Sequence, residues 1–217
     1  MRAFCLCLVL LSLAATVAAE TRRLAADLLL ASSPVPAGWQ LVDEPPDVAV
    51  RAMVDDMRLD AAQNGRKVDE GALEQTAQRY VRANELWLVR PETGAFAMID
   101  ISPLNDDEAA PDHETLRASA LHALVGIEEH AAEPAQVDWQ LRSRRVSGMQ
   151  AAVELQASYR ALGPDNDPAS ARPRRFLGLI GFAAPYWVYL YANDPLADPA
   201  DAVTLRAWFD QVGFVRP

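Results

Sequence analysis

The 217 residues are 51% apolar, carry a formal net charge of −10 and include two cysteines, Cys5 and Cys7. An acidic balance of this size excludes a general nucleic-acid binder, which needs a basic face for phosphate. The apolar share is that of a globular chain and excludes a disordered one.

Residues 1–19 read as a signal peptide. Arg2 is the positive start, Phe4 to Leu13 is the apolar stretch, and Val17-Ala18-Ala19 supplies small residues for cleavage. The apolar run is shorter than the roughly 20 residues of a spanning helix. No stable membrane span is expected after cleavage, and the expected address is the periplasm or the exterior. Both cysteines lie before the cut, and Glu20 follows it. The processed chain therefore lacks a thiol, which excludes disulfides, a cysteine nucleophile and thiolate ligands. Lys67 is the one lysine among 20 basic residues.

Thr21 to Ala31 is expected to form a short helix, because Leu24, Leu28 and Ala31 fall at helical spacing. Ser32 to Gly38 breaks it, and Trp39 to Val42 reads as a short strand. Two amphipathic helices follow. Val50, Met53, Val54 and Met57 stripe the first, Asp47 to Ala62. Leu73, Ala77, Tyr80 and Val81 stripe the second, Asp69 to Ala83, with Asp69 suited to cap it.

Glu85 to Val89 and Ala95 to Ser102 flank Pro91-Glu92-Thr93-Gly94 and read as a β-hairpin. Asp112 is placed to cap a helix from His113 to His130. Val137 to Val146 and Met149 to Leu162 alternate apolar and polar residues around Ser147-Gly148, as two half-buried strands do. Gly163 to Arg175 reads as a long loop. Phe176 to Phe182 and Tyr186 to Tyr191 are apolar on both faces, the mark of central strands. Asp198-Pro199 opens a last helix, and Gly213 ends it.

Hairpins without repeated βαβ units point to an α+β fold with a mainly antiparallel sheet flanked by helices. The expected organisation is one domain over residues 20–217. Residues 20–84 form a largely helical N-terminal extension, and 85–217 hold the sheet core.

The sequence carries no G-x-S-x-G elbow, P-loop or dinucleotide fingerprint. His113, His122 and His130 are spaced so that no neighbouring pair on one helix can chelate a metal. Asp165-Asn166-Asp167 lacks the glycine and distant glutamate of a calcium loop, and reads as a solvated turn. No metal and no cofactor are expected. The residues most suited to ligand binding are arginines. Arg142 and Arg144 lie on one strand, and Arg172, Arg174 and Arg175 at the entry to another. If those strands were neighbours, the five would make a basic patch able to hold carboxylate or phosphate. Pairing with Glu154 is the competing role for the first two. Trp187, Tyr189 and Tyr191 place three aromatics on one strand face, suited to core packing beneath a helix or to an apolar groove.

The order of elements over about residues 85–214 resembles the Mog1/PsbP-like superfamily. A hairpin, Leu86-Trp87-Leu88-Val89 with Ala97-Met98-Ile99-Asp100-Ile101, precedes a long helix. Ser147-Gly148-Met149-Gln150-Ala151-Ala152 is similar to that family's small-residue turn. Pro36-Ala37-Gly38-Trp39 is similar to its P-x-G-W opening. The resemblance implies an α-β-α sandwich and a binding or assembly-assisting role, with no catalytic residue to carry over. The function expected is therefore that of an exported, non-enzymatic cell-envelope binding or accessory protein. Its partner would be an envelope protein or a small amphiphilic or anionic ligand. The alternative is a periplasmic hydrolase using carboxylates and a histidine.

Overall fold

The computed structural model describes residues 20–32, 34–194 and 198–217, so the signal-peptide reading lies outside the described residues. The described residues form an α+β fold of two antiparallel sheets and four α-helices. A seven-stranded sheet is ordered β3 (Gln40–Val42), β4 (Leu86–Arg90), β5 (Ala95–Pro103), β9 (Tyr186–Asp194), β8 (Arg172–Ala183), β7 (Ala151–Ala161) and β6 (Asp138–Arg144). The apolar strands β8 and β9 occupy its middle. The half-polar β6 lies at an edge, where water can reach Trp139.

One face of this sheet carries three helices. Two form a pair, α1 (Asp47–Gln63) and α2 (Glu70–Val81), joined by Val54, Leu73 and Ala77. The pair covers β4 and β5 through Ala49, Val81, Trp87, Val89 and Phe96. Helix α3 (His113–Glu129) covers β7 and β8 with Leu116, Ala120, Leu124 and Ile127, the stripe expected from the sequence. Its N-cap Asp112 accepts from the Thr115 amide at 2.8 Å, and Asp69 caps α2 in the same way at 3.1 Å.

The other face carries α4 (Pro199–Gln211) and a three-stranded sheet, β1 (Glu20–Ala25), β2 (Leu28–Ser32) and β10 (Gly213–Val215), ordered β1-β2-β10. Leu28, Leu30, Leu205, Trp208, Phe209 and Phe214 share the largest apolar cluster with Leu88, Ile99 and Leu190 of the main sheet.

The small sheet corrects the expected helix over Thr21 to Ala31. Leu24, Leu28 and Ala31 do fit a helical period, but the leucine run fits a period of two as well. Leu28 and Leu30 are buried together on one side of β2. Pairing on both sides decides between the periods: β1 sets Arg22 opposite Leu30 and Arg23 opposite Leu29, and β10 sets Phe214 opposite Leu30 and Val215 opposite Leu29. Gly213 follows α4, as expected, and also opens β10. The loop expected to reach Arg175 ends sooner, because β8 begins at Arg172 and pairs with β7 from Ala161 onward. Within that loop, Asp167 caps a short 3₁₀ turn and Asp165 accepts from Ser170.

Helix α4 is tied to the main sheet by Asp201, which has no solvent exposure. Its carboxylate accepts from Arg90 and, at 2.6 Å, from Thr93, at the two ends of the β4–β5 turn. Asp201→Ala is expected to lower the urea midpoint without changing the slope, a loss of about 2 kcal/mol from charge-assisted hydrogen bonds at a buried carboxylate. An unchanged midpoint would show that α4 docks through its apolar face alone.

Candidate functional site

Between the α1–α2 pair and α3, the helical layer leaves a gap above the centre of the sheet. The gap is a cavity of about 300 Å³, at the lower end of the range of small-molecule pockets. Its floor and walls are apolar and aromatic, with Met53, Trp87, Phe96, Met98, Phe176 and Tyr191 prominent. A hydrogen bond of 2.8 Å from Gln63 Nε2 to the Glu129 carbonyl joins the C-terminal ends of α1 and α3.

Four polar side chains line the same cavity: Asp56 from α1, His130 at the C-cap of α3, Tyr159 from β7 and Arg174 from β8. Strand pairing sets Tyr159 directly opposite Arg174. Arg174 lies 3.7 Å from the Asp56 carboxylate, a looser approach than a hydrogen bond. Burial pushes the Asp56 carboxyl above the usual carboxylate range, against the opposing pull of Arg174 and then His130. Burial also raises the phenols of Tyr159 and, further, Tyr191, so both stay neutral at physiological pH.

A raised carboxyl has a defined consequence for stability. The folded state holds the Asp56 proton more tightly than the unfolded state does, so this group's contribution falls as pH rises from about 4 through its folded pKa. Asp56→Asn is therefore expected to match or exceed the parent in melting temperature at neutral pH. The advantage vanishes at acid pH, where both side chains are neutral. It stays below ~1 kcal/mol, because the Asp56 side chain is 39% exposed and solvent screens it. A variant that is weaker at neutral pH and equal at acid pH would mean that the Arg174 attraction outweighs the burial.

Of the sequence-selected arginines, Arg174 lines this cavity. Pleat alternation puts Arg172 on the same sheet face and Arg175 on the opposite one, beside Arg206 and α4. Arg142 and Arg144 also lie on the α4 face. Both grip Glu154, at 2.8 and 3.2 Å, as the competing role anticipated. β7 stands between β6 and β8, so the condition for one continuous patch is not met.

The aromatic stripe divides between core packing and the cavity lining. Trp187 and Tyr189 pack against the α3 cluster, and Tyr191 reaches the cavity. The rings stack at 6.0 and 6.1 Å, and Phe176 joins Tyr191 at 5.6 Å. His113 contacts Ser143, and His122 is exposed on α3. Among the described residues, no group of three or more His, Cys, Asp or Glu side chains could hold a metal ion. Among them too, no helix is long and apolar enough to cross a membrane.

Sequence reasoning missed Asp56, His130 and Tyr159 as site residues. Each belongs to a pattern with an ordinary structural meaning, and their convergence depends on four elements meeting. The one available signal was Tyr159, a large aromatic two residues past Ala157 on the apolar side of a strand that ends in polar loop.

No protein-family model matches the chain, and a search of curated proteins finds no relative. Among solved structures, the chain is similar to the solution structure of cyanobacterial PsbP (CyanoP) from Synechocystis sp. PCC 6803. The two chains are 14% identical at a TM-score of 0.42, over 87% of this chain and 92% of that one. At that identity and TM-score the likeness transfers no residue role.

Proposed function

We propose that the chain is an exported cell-envelope binding or accessory protein that works without catalysis, in the periplasm or outside the cell. The observation that carries this reading is the cavity. It is apolar over most of its wall, polar at a few points, and shaped between rigid elements, which is how small-molecule sites are built. The secretion-like residues 1–19 support the address. Arg142, Arg144, Arg172, Arg174 and Arg175 remain the candidate contacts to anionic groups, with Arg174 the one inside the cavity.

The hydrolase alternative would have to use Asp56 with His130, which share the cavity. Its lining offers no serine, threonine, cysteine or lysine, so the nucleophile would be an activated water or the Asp56 carboxylate itself.

The test has two parts. N-terminal sequencing of the protein recovered from its own cells is expected to begin at Glu20, and an intact Met1 would sink the export reading. Affinity capture from an envelope extract, with mass spectrometry of proteins and small molecules, is expected to yield a species that is lost when Ala123→Phe fills the cavity. An empty capture from folded protein would overturn the binding role.

A further inference from the structure

We propose that the cavity between α1 and α3 binds a small amphiphilic monocarboxylate, its carboxylate on Arg174 and its apolar body over Phe176 and Tyr191. The inference rests on the binding-protein reading and names the ligand class that this site would take.

The first support is the state of Arg174. Its side chain is 25% exposed, yet its carboxylate neighbour Asp56 stands off at 3.7 Å. Elsewhere the fold holds its partly buried arginines closely. Arg206 grips Glu154, and Arg144 approaches Asp210 at 2.7 Å. A guanidinium mostly out of water, standing off its carboxylate neighbour, beside the Tyr159 phenol and lining a cavity, is suited to bidentate recognition of a planar anion. Tyr159 and His130 line the same cavity as further hydrogen-bonding groups.

The second support is the wall. Phe176 and Tyr191 lie 5.6 Å apart in the cavity lining, an aromatic surface beside the one guanidinium, suited to an apolar body that carries a single anionic head.

The surroundings then select among head groups. An ammonium would meet the Arg174 guanidinium as well as Asp56, and is disfavoured. A phosphate or sulfate would crowd more negative charge against the Asp56 carboxylate. A monocarboxylate brings one charge in the flat shape that a guanidinium fits. The wall selects the rest. At about 300 Å³ the space suits a short chain or ring system, not a long-chain lipid.

The experiment is calorimetric titration of the purified protein with decanoate, decanol and decylamine, each below its aggregation limit. Decanoate is expected to bind at least about tenfold more tightly than the other two, the worth of one charge-assisted contact. Arg174→Gln is expected to erase that preference while leaving the decanol affinity in place. Asp56→Asn removes the competing charge and is expected to tighten decanoate severalfold. Ala123→Phe fills the space and is expected to abolish binding of all three, with an unchanged circular dichroism spectrum. Equal affinity for the three head groups, a preference for decylamine, or weaker decanoate binding by Asp56→Asn would overturn the proposal. These last two results would leave the binding-protein reading standing. No binding of any probe also overturns the proposal, and the envelope capture then decides the broader reading. If Arg174→Gln fails to fold, the Asp56 and Ala123 variants still support or overturn the assignment.

Discussion

Replacing Arg142, Arg144 and Arg206 together with alanine is expected to cost about 3–5 kcal/mol of stability, the penalty of stranding a buried carboxylate. Glu154 is 1% exposed and lies on the α4 face of the main sheet. Arg142 reaches it across the β6–β7 pair, Arg144 from one pleat further along, and Arg206 from α4. Gln156 donates a further bond at 2.6 Å. Any single arginine can be lost cheaply, because two guanidiniums remain on the carboxylate. The expected result is therefore strongly non-additive: three small single effects and a large combined one. Adding Glu154→Leu to the triple variant is expected to restore much of the loss, since the stranded charge is then gone. Urea denaturation of the three single variants, the triple and the quadruple measures this. Additive losses would mean that the arginines act through their own packing and not through Glu154.

The second large effect is expected at Gly148, where alanine should cost about 2–5 kcal/mol. The residue sits at φ +81°, a left-handed conformation that carries strain for any side chain. The space around it adds to that. A Cβ there would lie 1.8 Å from the Phe214 carbonyl oxygen and 2.6 Å from its carbon. Those are backbone atoms of β10, held in place because the Phe214 amide donates to the Ser147 carbonyl at 2.8 Å. The Ser147-Gly148 turn is thus a clasp on the last strand, and the side chain can enter only by pushing β10 away. Gly65 is the control. Its φ is +63° but nothing lies within 4 Å of its Cβ position, so alanine there costs only the conformational strain of ~1 kcal/mol. Amide exchange should accelerate through β2 and β10 in the Gly148 variant and stay unchanged in the other. Equal melting temperatures for the two variants would refute the clasp.

The sequence spoke clearly wherever a signal was local. Asp69, Asp112 and Asp198 read as N-caps, and each accepts a backbone amide at the start of its helix. The turns at Gly94 and Gly148 mark hairpins because both positions need positive φ. The Arg142–Glu154 pair was legible too, from the alternation of two strands across a short turn. What stayed hidden depends on distant parts of the chain. The Leu28-Leu29-Leu30 run fits a helical period and a period of two alike, and its place between β1 and the distant β10 makes it a strand. The cavity is hidden for the same reason. Asp56 resembles any polar residue on an amphipathic helix until α1 settles over β5. Arg174 became interesting as part of a basic cluster, yet the sheet sends its neighbour Arg175 to the other side.

The pairing of Leu30 with Phe214 also sets an order of events. The two residues come from opposite ends of the described chain, and the contact cannot form until both exist in the same compartment. Through synthesis and any passage across a membrane, the β1–β2 hairpin waits with Leu28 and Leu30 uncovered. Long-range closure of this kind is slow, and a waiting apolar edge invites wrong partners. Folding is thus held open at the start of the chain until its final strand arrives, which is the interval in which a chaperone would have to act.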